Sequence, residues 1–196
     1  PVWRERRNVP RRLLVLIDVS GSMKQHTADY LKLAHALVQG APSAEIFTFA
    51  TRLTRLTSAL RVRDRDQALA RASALVDDWD GGTQIGATLL AFLSVPRFAS
   101  FARGAAVVII SDGLERGEPD AMVAAIRRFA SRAHRLSLAT PLAGDPRFRP
   151  ETEALTAILP MLDDLVDASS IAKLGSFFLS LARPAPKAQT IWGKVS

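Results

Sequence analysis

Short unbroken apolar blocks alternate along this chain with longer stretches in which apolar positions recur every three or four residues. Leu13 to Ile17 (LLVLI) and Ala105 to Ile110 (AAVVII) are the continuous runs, closed by acidic turns at Asp18 and at Ser111-Asp112-Gly113. Continuous rather than alternating hydrophobicity marks a strand buried on both faces of a sheet. After the first run, Leu31, Ala34, His35, Leu37 and Val38 recur at helical spacing, and Gly40 with Pro42 ends that segment. Ala44 to Ala50 (AEIFTFA) alternates and is rich in β-formers, with Leu53 to Leu56 as a short hairpin partner. Asp64 is placed to N-cap a helix from Arg65 to Asp77, where Ala68, Leu69, Ala72 and Leu75 share a face.

Asp80-Gly81-Gly82 then breaks the chain, and Ile85, Leu89, Leu90 and Leu93 mark a further helix limited by Pro96. Beyond the second apolar run, Pro119 and Asp120 open a helix carrying Met122, Val123, Ile126 and Phe129. Leu136 to Ala139 reads as a strand, Pro141 to Pro150 as a loop, and Glu151 to Leu159 as a short helix. A short strand at Leu165-Val166 and a last helix from Ile171 to Leu181 follow. Strand and helix alternate throughout. That order predicts an α/β fold with a doubly wound, mostly parallel central sheet, helices on both faces and right-handed crossovers. One domain is expected over residues 1–182, with a loosely held tail over 183–196 that contains two prolines.

Composition narrows the picture without changing it. A chain of 196 residues, 48% hydrophobic and 23% charged, has enough apolar content for one buried core. The absence of Cys excludes disulfides, thiolate metal sites and cysteine nucleophiles. The apolar runs fall far short of the ~20 residues that a spanning helix requires, and the chain begins at Pro1 without a secretory pattern. The net charge of +7 comes almost wholly from arginine, clustered at Arg4 to Arg12, at Arg52 to Arg65 and around Arg127 to Arg135. These clusters form no single stripe in the sequence and accompany no recognised nucleic-acid module, so a solvated surface or a protein interface is the expectation.

The candidate chemistry lies where the two apolar runs end. Asp18, Ser20 and Ser22, spaced D-x-S-x-S, follow the first run; Asp112 follows the second; Thr83 sits in the Gly81-Gly82-Thr83 turn ahead of a helix. In a doubly wound sheet all five belong to the carboxyl rim of the strands, where ligands bind. Every donor is a hard oxygen, which favours Mg²⁺ or Mn²⁺ over zinc. Two carboxylates and three hydroxyls leave such a cation an open position that suits an incoming acidic group, and the helix start after Ser22 favours an anion there too.

DVSGS, the GGT turn and the SDG turn, in this order and at these separations, resemble the metal-ion-dependent adhesion site of von Willebrand factor A domains. The resemblance implies that Ser20 and Ser22 coordinate metal directly and Thr83 directly or through water. It also implies that Asp18 and Asp112 act largely through water and that a partner's Asp or Glu completes the shell. The segments PRRLLVLIDVSGSM, EIFTFATRLTRLT, DWDGGTQIG, VVIISDGLERGEP, AHRL, PLAGDPRFRP and LPMLDD are similar to the CoxE-like branch of bacterial A domains. That likeness implies the carboxyl-terminal A domain of a longer cytoplasmic maturation factor. It would work with a MoxR-type AAA+ ATPase on a molybdenum hydroxylase such as carbon monoxide dehydrogenase.

Simpler readings compete with each signal. A serine in D-x-S-x-S is also an ordinary helix cap. Ser22 lacks the G-x-S-x-G elbow, and His26, His35 and His134 are scattered, so no nucleophile with its base is evident and no enzyme is expected. The GGTQIG segment lacks the lysine of a phosphate loop. Trp79 reads as a structural anchor ahead of a partner-facing aromatic, and Glu115 and Arg116 as candidates for selecting a partner or as solvated charges. The rival function is a metal-dependent hydrolase or a nucleic-acid-binding protein using the arginines.

Overall fold

The two apolar runs are neighbouring central strands of one sheet. The computed structural model describes residues 12–76 and 84–181. Six strands, β1 (Leu13–Asp18), β2 (Ala44–Phe49), β3 (Leu53–Arg55), β4 (Ala106–Ile110), β5 (Arg135–Thr140) and β6 (Asp164–Asp167), lie in the order β3-β2-β1-β4-β5-β6. All neighbours are parallel except the β2–β3 hairpin. The chain grows outward from β1 in one direction and then from β4 in the other. The order therefore reverses between β1 and β4, the point at which open α/β sheets hold a ligand beyond the carboxyl ends of their strands.

Alternate residues of each central strand feed opposite cores, which is why their sequences show no polar phase. Val15 and Ile17 of β1 with Val108 and Ile110 of β4 pack under helices α1 (Lys24–Gly40), α2 (Thr57–Leu60), α3 (Arg65–Leu75) and α8 (Ile171–Ser180). Leu14, Leu16, Val107 and Ile109 pack on the other face under α4 (Ile85–Ser94), α5 (Pro96–Ala102), α6 (Pro119–Ala130) and α7 (Glu153–Ile158). On that face Phe47 meets Phe92 edge-on at 5.1 Å between ring centroids, the favoured geometry for two quadrupolar rings. The expected doubly wound α/β architecture is the one observed.

Several local expectations shift. Asp64 caps α3, its carboxylate accepting from the Gln67 amide at 2.7 Å. On that helix Ala68 and Ala72 are buried, but Leu75 is 45% exposed. Pro96 does not simply stop α4: its preset backbone angle starts α5 at the first helical position. The expected loop after β5 begins with a 3-10 turn at Pro141–Gly144, and α2 was not foreseen, being too short to show a period. Among the described residues no single helix is long and apolar enough to cross a membrane.

Candidate metal centre

Asp18 is the last residue of β1 and Asp112 lies two residues beyond β4, so both carboxylates lie at the carboxyl edge where the strand order reverses. The turn after Asp18 is anchored by two apolar residues in its own sequence, Val19 and Met23, which are buried in the core on the α1 face. Val19 donates its amide to the Phe49 carbonyl, and a 3-10 turn over Gly21–Met23 leads directly into α1. Ser20 and Ser22 fall between these anchors. Their hydroxyl oxygens lie 3.2 Å apart, Ser20 buried and Ser22 exposed.

Ser20 occupies the N-cap position, yet its side chain makes no capping hydrogen bond. The simple reading of this serine as a cap therefore loses its geometric basis, and the hydroxyl is left facing Ser22 instead. Asp18 is held in a fixed orientation: one carboxylate oxygen accepts from the Ser20 amide at 2.9 Å, the other from the Ser111 hydroxyl at 2.7 Å. Asp112 accepts from the Leu114 amide at 3.0 Å.

Asp18 is 1% exposed and Asp112 6% exposed, and among the described residues neither has a cationic partner. Burial pushes the Asp18 carboxyl above the ordinary range; hydrogen bonds from Ser111 and Ser20 oppose this, and the charge of Asp112 adds to it. Two buried like charges without a counter-ion are unfavourable on their own and become favourable beside a bound cation. With two hydroxyls at 3.2 Å, the donor set is all hard oxygen, which fits a magnesium- or manganese-type ion. Among the described residues no group of three or more His, Cys, Asp or Glu is gathered for a metal, so no zinc-type cluster competes.

Thr83, the fifth candidate ligand, lies outside the described residues, as do Trp79, the arginines from Arg4 to Arg11 and the 183–196 tail. The helix that Thr83 precedes is described and starts at this rim. Gly86, in the first turn of α4, donates its amide to Glu115, whose carboxylate also accepts from Gly117, both at 2.6 Å. Glu115 is thus a half-buried cap supplied to α4 from the loop after β4, rather than a free charge awaiting a partner. Arg116 is exposed. Of the histidines, His35 is buried against the Val62 carbonyl at 3.0 Å, as its helix face predicts, and His26 stacks on Tyr30.

The role of one residue escaped the sequence reading. Ser111 is fully buried and ties Asp18 to the loop of Asp112, because its hydroxyl also accepts from the Gly113 amide at 3.0 Å. Only the pairing of Ile17 with Ile110 reveals that Asp18 and Ser111 are level on adjacent strands. Gly113 has φ +73°, which favours glycine in the turn that presents Asp112, and a Cβ there would also make the Leu155 side chain of α7 shift.

A mostly parallel sheet reversing between β1 and β4, with an Asp-x-Ser-x-Ser turn at the reversal, defines a von Willebrand factor A-type domain. The chain belongs to the family described as "VWA domain containing CoxE-like protein", which matches residues 1–174. Among solved structures it is similar to a von Willebrand factor type A protein from Catenulispora acidiphila, with TM-score 0.55 and 17% identity. That match covers 88% of this chain and 42% of the other. It is also similar to BatB from Bacteroides thetaiotaomicron, with TM-score 0.51 and 19% identity over 88% of this chain and 98% of that one. A third, the pilus adhesin SpaC from Lactobacillus rhamnosus GG, has TM-score 0.56 and 12% identity over 90% and 30% respectively. At these identities the likeness shows the fold. The chain spans less than half the length of the Catenulispora and Lactobacillus proteins. No curated protein matches its sequence.

Proposed function

We propose that this domain is a divalent-metal-dependent protein-binding module, with Asp18, Ser20, Ser22, Thr83 and Asp112 as the metal-holding residues. The observation that carries the reading is the pair of buried carboxylates, Asp18 and Asp112, without a cation among the described residues and beside the Ser20 and Ser22 hydroxyls. Bound there, Mg²⁺ or Mn²⁺ would supply a Lewis-acidic position for a carboxylate. The chain's own residues do the rest. Ser111 and the Ser20 amide fix Asp18, the Leu114 amide fixes Asp112, and Glu115 holds the start of α4 beside them.

The partner in this reading supplies an Asp or Glu and is a MoxR-type AAA+ ATPase in the cytoplasm, as the CoxE-like resemblance implies. The assembly would serve maturation of a molybdenum hydroxylase such as carbon monoxide dehydrogenase. We read it as a binding role rather than an enzymatic one: among the described residues no histidine is hydrogen-bonded to Ser20 or Ser22, His26 bonding Gln25 and His35 the Val62 carbonyl.

The test is a pulldown of a purified MoxR-type AAA+ ATPase, in Mg²⁺ and in EDTA. Capture is expected in Mg²⁺ and lost in EDTA, and lost again in Ser20→Ala and Asp112→Ala although both variants keep a native circular dichroism spectrum. Equal capture in EDTA overturns the reading.

A further inference from the structure

Arginines from separate parts of the sequence, Arg12, Arg103 and the group from Arg127 to Arg132, meet at the end of the sheet opposite the candidate metal centre. Arg12 precedes β1, Arg103 precedes β4, and Arg132 with His134 precedes β5, three strands that are adjacent in the sheet. Their connections are hydrogen-bonded to one another: Ala106 donates to the Arg12 carbonyl, Gly104 to that of Arg132, and His134 to that of Ala105, at 2.8–2.9 Å. Helix α6 leads into β5 from this end and places Arg127 and Arg128 in its last turn. All of these basic side chains are exposed except Arg132, which is half-buried.

Among the described residues none of these five arginines joins an ion pair. The nearby acids are engaged: Asp164 takes both forks of Arg135 at 2.7 Å, and Asp163 accepts from the Leu136 amide. A purely local account covers part of the cluster. Basic residues offset the partial negative charge at a helix carboxyl terminus, and Arg132 bonds the Arg128 carbonyl there. Arg12 and Arg103 lie on strand-leading connections and have no such role.

We propose that this amino-terminal edge is a second docking surface, one that takes a carboxylate-rich face of a partner protein. It stands apart from the metal reading, lying about 20 Å away along the six residues of β1. The cations are all guanidinium, whose planar donors match carboxylates in pairs. Three features weigh against nucleic acid. No described Phe or Tyr ring is exposed for base stacking, α6 turns its carboxyl rather than its amino end to the surface, and the connections Arg103–Ala105 and Ser131–His134 are too short to form a groove. A domain with an anion-seeking rim at one end and a basic edge at the other can bridge two acidic surfaces.

The full chain is titrated by fluorescence anisotropy with poly-L-glutamate, oligothymidylate and a DNA duplex of matched charge, at low and physiological salt. The variants are Arg103→Glu with Arg128→Glu, the neutral pair Arg103→Gln with Arg128→Gln, and Arg63→Glu with Arg71→Glu as an exposed control on another face. Poly-L-glutamate is expected to bind wild type more tightly than either DNA. The edge variants should lose about ten-fold or more in affinity with a shallower salt dependence, while the control changes by less than about two-fold. The neutral pair keeps the test valid if charge reversal prevents folding. Equal loss in the control, tighter binding of DNA through the same arginines, or no polyglutamate binding at low salt would each overturn the proposal.

Discussion

Ser111 donates its hydroxyl to Asp18 at 2.7 Å across the boundary between β4 and β1, and both side chains are buried. The same oxygen accepts from the Gly113 amide, so one hydroxyl couples the two acidic loops at the strand-order reversal. Its removal orphans a buried carboxylate oxygen and an amide together. Ser111→Ala is therefore expected to cost about 1–3 kcal/mol in urea unfolding with EDTA present. It should also weaken Mg²⁺ binding measured by calorimetry, because Asp18 loses one of the two bonds that orient it. A variant as stable as wild type, with unchanged calorimetry, shows that the contact positions nothing.

Asp112→Asn separates a ligand from a structural carboxylate. Asparagine keeps the acceptor oxygen for the Leu114 amide and removes the charge that pushes Asp18 upward. In EDTA the variant is expected to be as stable as wild type or more so, by up to about 1 kcal/mol. Adding Mg²⁺ should raise the melting temperature of wild type and leave the variant unmoved, since a ligand stabilises only the state that binds it. The metal assignment fails if scanning calorimetry finds the same Mg²⁺ shift in both.

Glu115 was legible in the sequence as a charge near the SDG turn but not as the cap of a distant helix. Its partner, Gly86, is 29 positions away and on another layer. Gly86 itself shows the closeness of that packing, because a Cβ there would collide with the backbone of Met122 at the start of α6. Glu115→Ala is expected to cost about 1–2 kcal/mol, the usual effect of losing an N-cap. Gly86→Ala should cost at least about 1–3 kcal/mol by overpacking two helix starts. Chemical denaturation measures both. Gly86→Ala at wild-type stability would falsify the backbone contact between α4 and α6.

What could be read in advance follows from the range of the interactions. β1 and β4 were evident because burial on both faces erases the polar phase within a single strand, and Asp18, Ser20 and Ser22 were evident because one turn contains them. The capping bond of Asp64 is equally local. Ser111, Glu115 and the basic edge formed by Arg12, Arg103 and Arg132 depend on which strands and helices become neighbours, information that the sheet order holds and no window of sequence contains. α2 and α5, at four and seven residues, complete at most two turns and so leave little period to detect.

The acid limb of stability is expected to report on Glu45 of β2. Burial pushes its carboxyl up, but hydrogen bonds from Arg55 and Thr57 and the Arg55 charge outweigh this and leave it below the ordinary value of 4.5. Both bonds from the guanidinium are 2.8 Å, and Arg55 also lies 5.4 Å from the Phe101 ring centroid. A carboxyl depressed in the folded state binds fewer protons there than in the unfolded chain. Its contribution is present above the unfolded value and disappears as pH falls through the folded one. Asp18, shifted upward, acts in the opposite sense, so its protonation relieves the fold as pH falls. Glu45→Gln should consequently be less stable than wild type at neutral pH and should lose less stability on acidification below about pH 4.5. Urea unfolding from pH 7 to pH 3 measures the difference, and parallel curves for the two proteins would show that the Arg55 pair contributes no pH-dependent stability.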